Sequence, residues 1–378
     1  MQFRYDCPQH YTFNRNKIYT DMSTRKLRTA VIGVSVGRFH LDGYTSDPNN
    51  ELVAICDANP ALLAEMGDKY NVPEQGRFTD YKALLKRDDI DSVSIALPNF
   101  LHEPVAIDAF QAGKHVLCEK PLSLNSPSGQ RIIDAAKAAG KTLMVCYNHR
   151  YRPEIVWLKE QISRGDFGDV YAVKAGWMRE GWIPTHGAWF TDKARSGGGA
   201  LIDLGVHVLD LALWLMGYPK PVSVSGAAFN KFVARGQKTK PRNLKPFSTE
   251  VDDLGLGFVR FDNGAALMFE SAWATHREPT QDGYFVRLFG SEAGANFFTG
   301  AANGETVSAF RYVNDEPTAI TPKLFSSVSG HIRAVSHFVD CVLNNKTPES
   351  PGEHGLVGLQ IIDAIYESAR TGHEVSIS

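Results

Sequence analysis

Between residues 28 and 148 short apolar runs alternate with helical segments, and this alternation restricts the fold more than any other feature of the chain. "RTAVIGV", residues 28–34, is the first run and stops at a glycine; "ELVAICD" ends at Asp57, and "DSVSIALPN", "KHVLCEKP" and "KTLMVCYN" follow. Between them lie "NPALLAEMGDKY", "FTDYKALLKRDDI", "EPVAIDAFQAG" and "SPSGQRIIDAAKAAG", with apolar residues at helical spacing. In the first of these Asn59 is a ready N-cap and Pro60 a ready first-turn residue. Strands that are apolar throughout, and not only at every second position, are covered on both faces. The pattern predicts a doubly wound parallel sheet.

Such sheets bind ligands outside the carboxyl ends of their strands. Here the first strand runs into Gly33-Val34-Ser35-Val36-Gly37, with His40 beyond, and the second ends at Asp57. A glycine turn opening a helix can seat a pyrophosphate on the helix N-terminus. The usual G-x-G-x-x-G spacing is shortened by one residue, and Ser35 stands at its second glycine. A carboxylate at Asp57 accepts from a ribose 2′-hydroxyl and repels a 2′-phosphate, and no Arg or Lys adjoins it. The expected cofactor is NAD in preference to NADP.

A second anomaly lies at residues 196–210, "SGGGALIDLGVHVLD". At about 100° per residue, Asp203, His207 and Asp210 share one narrow stripe of an otherwise apolar helix. Charge facing a core is costly unless paired, so the stripe should face something polar. Composition narrows what that is. A net charge of -2 over 378 residues gives no electrostatic case for nucleic acid or anionic membrane, and no apolar run approaches the roughly 20 residues that span a bilayer. Cys7, Cys56, Cys118, Cys146 and Cys341 are scattered, with no C-x-x-C pair, which suits a reducing cytoplasmic compartment. No Cys/His cluster has zinc-site spacing, so no metal is expected. Residues 1–27 lack the apolar core and cleavage site of a signal peptide and read as an arm.

"AGKHVLCEKPLS", followed some eighty residues later by "GGGALIDLGVHVLDLALWLMG", resembles the glucose–fructose oxidoreductase/inositol dehydrogenase (Gfo/Idh/MocA) family. The resemblance extends from about residue 28 to the C-terminus, through "ALPNFLHEPVAIDAF", "NHRYRPE", "GDFGDVYAV", "VRFDNGAALMFESAW" and "HIRAVSHFVDCVLNNKTP". It implies an N-terminal Rossmann domain at 28–148 and, at 149–378, an α+β domain with a large, mostly antiparallel sheet that binds substrate and mediates oligomerisation. It implies Lys120, Asp203 and His207 as catalytic residues. Leu97, Pro98, Asn99, His102, Glu119 and Lys120 would then line the cofactor together with the glycine loop and Asp57. Asn148 would face the substrate.

Oxidation of an alcohol requires a base for the hydroxyl proton. His207 can take it, Lys120 can hold the developing alkoxide, and Asp203 can orient substrate or imidazole. Asp210 reads as a structural partner, and Gly197–Gly199 as a place where backbone approaches a ligand. Beyond, "REGWIPTHGAWFTDKARSGGG" offers Arg179, Trp182, His186 and Trp189, suited to a sugar face. "LGLGFVRF" and "AALMFESAW" around an Asp-Asn-Gly turn predict a hairpin. A sheet this large needs cover on its far face, which suggests a homodimer or homotetramer. The expected reaction moves a hydride between a ring secondary alcohol of a sugar, sugar derivative or inositol and NAD. The alternatives are an NAD-retaining enzyme that cleaves glycosides and a non-catalytic sugar sensor.

Overall fold

A computed structural model describes residues 25–181, 184, 188–232, 238–239, 242–243, 250–276, 283–300, 306–323 and 328–377. All but the last three residues of the predicted arm lie outside these, as do Trp182 and His186. Strands β1 (Leu27–Ile32), β2 (Asn50–Cys56), β3 (Arg77–Phe78), β4 (Ser92–Ile95), β5 (His115–Cys118) and β6 (Leu143–Val145) form one sheet in the order β3-β2-β1-β4-β5-β6. Every pairing in it is parallel. The chain winds outward from β1 to β3, then returns to β4 beside β1 and winds the other way. The crevice at this reversal opens above the carboxyl ends of β1 and β4, beside Gly33 and Leu97.

The second sheet follows. β7 (Val170–Met178), β8 (Pro221–Phe229), β11 (Leu254–Phe261), β12 (Ala266–Ala272), β13 (Gly283–Gly290), β14 (Gly294–Phe298), β15 (Val307–Val313), β16 (Glu316–Ile320) and β17 (Val375–Ser376) lie in the order β16-β15-β14-β13-β7-β12-β11-β8-β17. A separate antiparallel pair, β9 (Lys238–Thr239) and β10 (Arg242–Asn243), stands apart from this sheet. All contacts in the large sheet are antiparallel except β7 with β12. The predicted hairpin is β11–β12, with Arg260 opposite Ala266.

Along β12 the pleat sends Leu267, Phe269 and Ser271 inward, where they are buried, and Met268 outward, where it is 51% exposed. The inward face covers the segment Lys193–Met216. By length and composition that segment could cross a membrane, contrary to the reading that no apolar run is long enough, but 78% of its apolar window is buried inside the protein. It is the central core helix under the sheet. The sequence division into two domains also has a crossing. Helix Gly330–Leu343 returns to the first domain, where Ala334, Val335, Phe338 and Val339 pack with Val31, Val34, Leu41 and Tyr44. Its apolar stripe packs on helix Val34–Ser46, where Gly43 lets Val335 approach closely. Cys56, Cys118, Cys146 and Cys341 are free and buried.

Candidate functional site

Gly33 stands at φ +87°, where a side chain is strained, and a Cβ there would overlap the Ala96 carbonyl. The glycine lets β1 turn directly into helix Val34–Ser46 against β4. A Cβ at Gly37 would lie 2.8 Å from Val31 Cγ1, so helix and strand also touch closely one turn on. Its N-cap, Gly33, has no side chain to cap it, and its first turn presents exposed Ser35 and Val36. The Asp57 carboxylate accepts from the Val34 N–H at 3.0 Å and the Asn59 N–H at 2.9 Å. It is thereby fixed beside the helix start, and each oxygen keeps a lone pair for a hydroxyl. An exposed first helical turn, a close glycine turn and a fixed carboxylate on one rim fit a dinucleotide.

The candidate chemistry lies where the two sheets meet. Lys120, just past β5, sends its ammonium to the core helix, donating to the Asp203 carbonyl at 2.9 Å and to Asp203 Oδ1 at 3.1 Å. Trp273 Nε1 donates to Asp203 Oδ2 at 2.9 Å. Both carboxylate oxygens are thus engaged, and Asp203 holds Lys120; it does not orient His207, as its place on the stripe suggested. The cause is local backbone. Leu201–Gly205 is a π-helical turn, and regular α-helix begins only at Val206. A wide turn under Asp203 rotates it away from the register a uniform helix would give.

His207 instead packs edge-on against His149, with ring centroids 4.6 Å apart and planes at 77°, and lies 5.7 Å from Trp177. Its Nδ1 is buried with no hydrogen-bond partner among the described residues. Burial and then the Lys120 charge press the imidazole well below its ordinary value, so the ring is held neutral. His149 bonds the Tyr284 hydroxyl through Nδ1. Burial and then Arg152 hold its value down at about 3. Arg179 lies over the Trp177 ring at 4.6 Å, and its charge also bears on His207.

Other expected site residues stand differently. His102 is wholly buried, with Nδ1 2.7 Å from the Pro121 carbonyl and Nε2 2.8 Å from that of Leu97. It ties the two loops flanking the cofactor crevice together and has no surface to offer a cofactor. Asn99 is also buried and donates to the Ser196 carbonyl at 2.8 Å, joining the first domain to the core helix. Leu97 and Pro98 remain half-buried on the crevice rim. Trp189 stacks on Phe190 at 3.8 Å within a short 3-10 turn, and the described contacts do not bring it to Lys120.

Gly197–Gly199 make room for protein, not ligand. A Cβ at Gly197 would sit 2.6 Å from the Leu124 carbonyl, and those at Gly198 and Gly199 would overlap the Tyr366 hydroxyl and the Asp252 carbonyl. Asp210 pairs with buried Arg150, whose Nε donates at 2.8 Å, and accepts from the Tyr218 hydroxyl at 2.6 Å. The stripe that looked continuous therefore divides into an Asp203–Lys120 pair, a neutral histidine and a structural ion pair.

Glu119 is buried. It accepts from His40 Nε2 at 2.8 Å and from the Lys120 N–H at 3.2 Å. Burial alone would raise its carboxyl; the His40 hydrogen bond and the charges of His40, His331 and Lys120 outweigh it and hold the value at about 2. Three metal-competent side chains, His40, Glu119 and Cys146, do converge within 4.8 Å, which their sequence spacing did not suggest. His149, Trp177, Tyr284, Trp273 and His331 were not singled out from the sequence. Of these, His149, His331 and Trp273 lay in the motifs "NHRYRPE", "HIRAVSHF" and "VRFDNGAALMFESAW".

Residues 27–147 match the oxidoreductase family model for an NAD-binding Rossmann fold, and 159–377 match that family's C-terminal alpha/beta domain. The chain belongs to the Gfo/Idh/MocA oxidoreductase family. It is 30% identical over 359 residues to the D-glucoside 3-dehydrogenase of Escherichia coli (strain K12), covering 94% of this chain and 99% of that one. An aldose-aldose oxidoreductase structure from Caulobacter crescentus superposes with TM-score 0.79 at 26% identity, over 93% of this chain and 100% of its own. A levoglucosan dehydrogenase in complex with NADH shares the fold with TM-score 0.82 at 24% identity, over 94% of this chain and 100% of its own.

Proposed function

We propose that the chain is an NAD-dependent dehydrogenase of a ring secondary alcohol in a sugar or sugar derivative, with Lys120 and His207 acting on the reacting hydroxyl. The observation that carries this is a Lys120 held by Asp203 on the helix that also carries His207, whose buried Nδ1 has no hydrogen-bond partner among the described residues. NAD, when bound, accepts the hydride. The Lys120 ammonium stabilises oxygen as negative charge develops on it, and the imidazole receives the hydroxyl proton. The aromatic walls at Trp177 and Tyr284 suit the apolar face of a pyranose. The naming of an E. coli relative for a glucoside supports a sugar over a short hydroxy acid.

Screening glucosides, free aldoses, levoglucosan and inositols with NAD, by NADH absorbance, tests this reading. Turnover of at least one ring sugar that falls in Lys120→Ala and in His207→Ala is expected. Absence of turnover across the panel, with NAD bound, would favour the sensor alternative. Glycoside cleavage without net NADH would favour the NAD-retaining one.

We infer also that the outer face of the large sheet meets a second copy of the chain. Met268, Phe289, Phe310 and Tyr312 emerge from it 40–75% exposed, in β-strands that the predicted interface would cover. Light scattering should give a dimer or tetramer at micromolar concentration; a monomer refutes it.

A further inference from the structure

Trp273 stands just past β12 and is wholly buried. Its ring packs with Ala200, Leu204, Val251 and Ala274. For that packing alone a purely apolar ring would serve. Indole carries one polar atom more, an N–H that is costly to bury unless an acceptor meets it. The acceptor is Asp203 Oδ2, 2.9 Å away.

Both partners are tied down. The Trp273 backbone N–H donates to the Asp253 carbonyl at 2.9 Å, and Ser271 Oγ donates to the Ala200 carbonyl at 2.9 Å. The Asp252 carboxylate accepts from the Gly199 N–H at 2.8 Å and the Leu201 N–H at 2.9 Å. A Cβ on Gly205 would come within 2.8 Å of Phe269 Cζ, so β12 also rests on the far end of the π turn. The indole therefore reaches Asp203 from a base fixed on either side of it. The other carboxylate oxygen, Oδ1, accepts from Lys120 at 3.1 Å. An indole N–H and an ammonium donate and never accept. A side chain between them must offer two acceptors, which a carboxylate does and an amide does not.

We propose that Trp273 is a positioning residue for the reaction. It acts through Asp203: by taking Oδ2 it holds the carboxylate in the orientation that turns Oδ1 to Lys120, and so fixes the ammonium from a third segment of the chain. The inference rests on the NAD-dependent reading above. It has a consequence that packing alone does not. In Asp203→Asn the amide must turn its NH2 either to the ammonium or to the indole N–H, donor against donor. Removing the indole N–H relieves that conflict, because the NH2 can then face an apolar ring while the oxygen faces Lys120.

Steady-state kinetics of Trp273→Phe, Asp203→Asn and the double variant, on the sugar found by screening, test this, with NAD affinity measured by calorimetry. Trp273→Phe should lower kcat by roughly 3- to 30-fold and leave the NAD affinity unchanged. Val251→Ala, which thins the same cluster and keeps the indole N–H, should lower the melting temperature without that loss of kcat. The double variant should turn over no more slowly than Asp203→Asn alone. A double variant slower than Asp203→Asn, or Trp273→Phe at the wild-type kcat, overturns the proposal. Should Trp273→Phe not fold, a proton–nitrogen spectrum of the full chain decides. One of the six tryptophan side-chain N–H signals should shift between wild type and Asp203→Asn, and six unmoved signals overturn the proposal. Absence of sugar oxidation by the wild type would instead remove the reading beneath it, while the indole signal still reports the contact.

Discussion

Replacing Asp203 with Asn should slow the enzyme by acting through Lys120, and it leaves one acceptor oxygen for the two donors Lys120 and Trp273. The substitution keeps the size of the side chain and an acceptor oxygen but removes the negative charge 3.1 Å from the Lys120 ammonium. Hydrogen bonds to charged groups are worth about 1.5–3 kcal/mol net. Both side chains are 17% exposed, so solvent screens little of this, and the backbone contact at 2.9 Å survives. A loss of about 1–2 kcal/mol in holding the ammonium corresponds to roughly 5- to 30-fold in rate. Lys120→Ala removes the group itself and should cost about 10²- to 10⁴-fold. In the double variant the Asp203 substitution should add nothing, because what it positions is gone. The assay is steady-state NADH formation on the sugar found by screening, with melting temperatures as a check on folding. Independent, multiplying losses would refute the argument and return Asp203 to direct contact with substrate.

The Asp57 carboxylate, fixed by the Val34 and Asn59 amides, should exclude NADP; Asp57→Ser combined with Ala58→Arg should move the kcat/KM ratio toward NADP, and a wild type that already prefers NADP disproves the assignment. Gly199→Ala should lower the melting temperature and kcat together, since its Cβ meets the Asp252 carbonyl and overpacking costs about 1–3 kcal/mol; an unchanged melting curve would show the segment can shift. Histidines 149 and 207 have their charged forms disfavoured in the fold, so below about pH 6.5 the unfolded chain takes up protons that the folded chain refuses. Stability is therefore full above that pH and should fall as pH drops toward about 3, the folded value at His149; a melting temperature flat from pH 7 to 4 contradicts this.

The parts of the fold legible in the sequence are those with a local signature. Uninterrupted apolar strands between helices gave the parallel sheet, and the close turn at Gly33 was equally visible, because each is decided within a few residues. The inward residues of β7, β12 and β13 could not be assigned in this way. Trp177 and Tyr284 occupy positions that read as ordinary core alternation, and their meeting with His149 and His207 is made by strand pairing across more than a hundred residues. Trp273, just beyond β12, reaches Asp203 over a separation of 70 residues.

Helical periodicity failed at one identifiable point. A wheel drawn at a constant angle assumes one hydrogen-bond pattern from residue 196 to 210, and the π turn at Leu201–Gly205 breaks that assumption directly under Asp203. The consequence is local: the turn hands Asp203 to Lys120 of the other domain and leaves His207 to pack against His149. The three glycines before it serve the same end. By letting Leu124, Tyr366 and Asp252 approach the backbone, they seat the start of the core helix against the first domain, where Asn99 holds the Ser196 carbonyl. Lys120 and His207 arise on different domains, so their separation is only as well defined as that seam. A site that divides charge and proton acceptor between two domains needs a close-packed joint beside it, and the glycines that looked like a ligand cradle provide one.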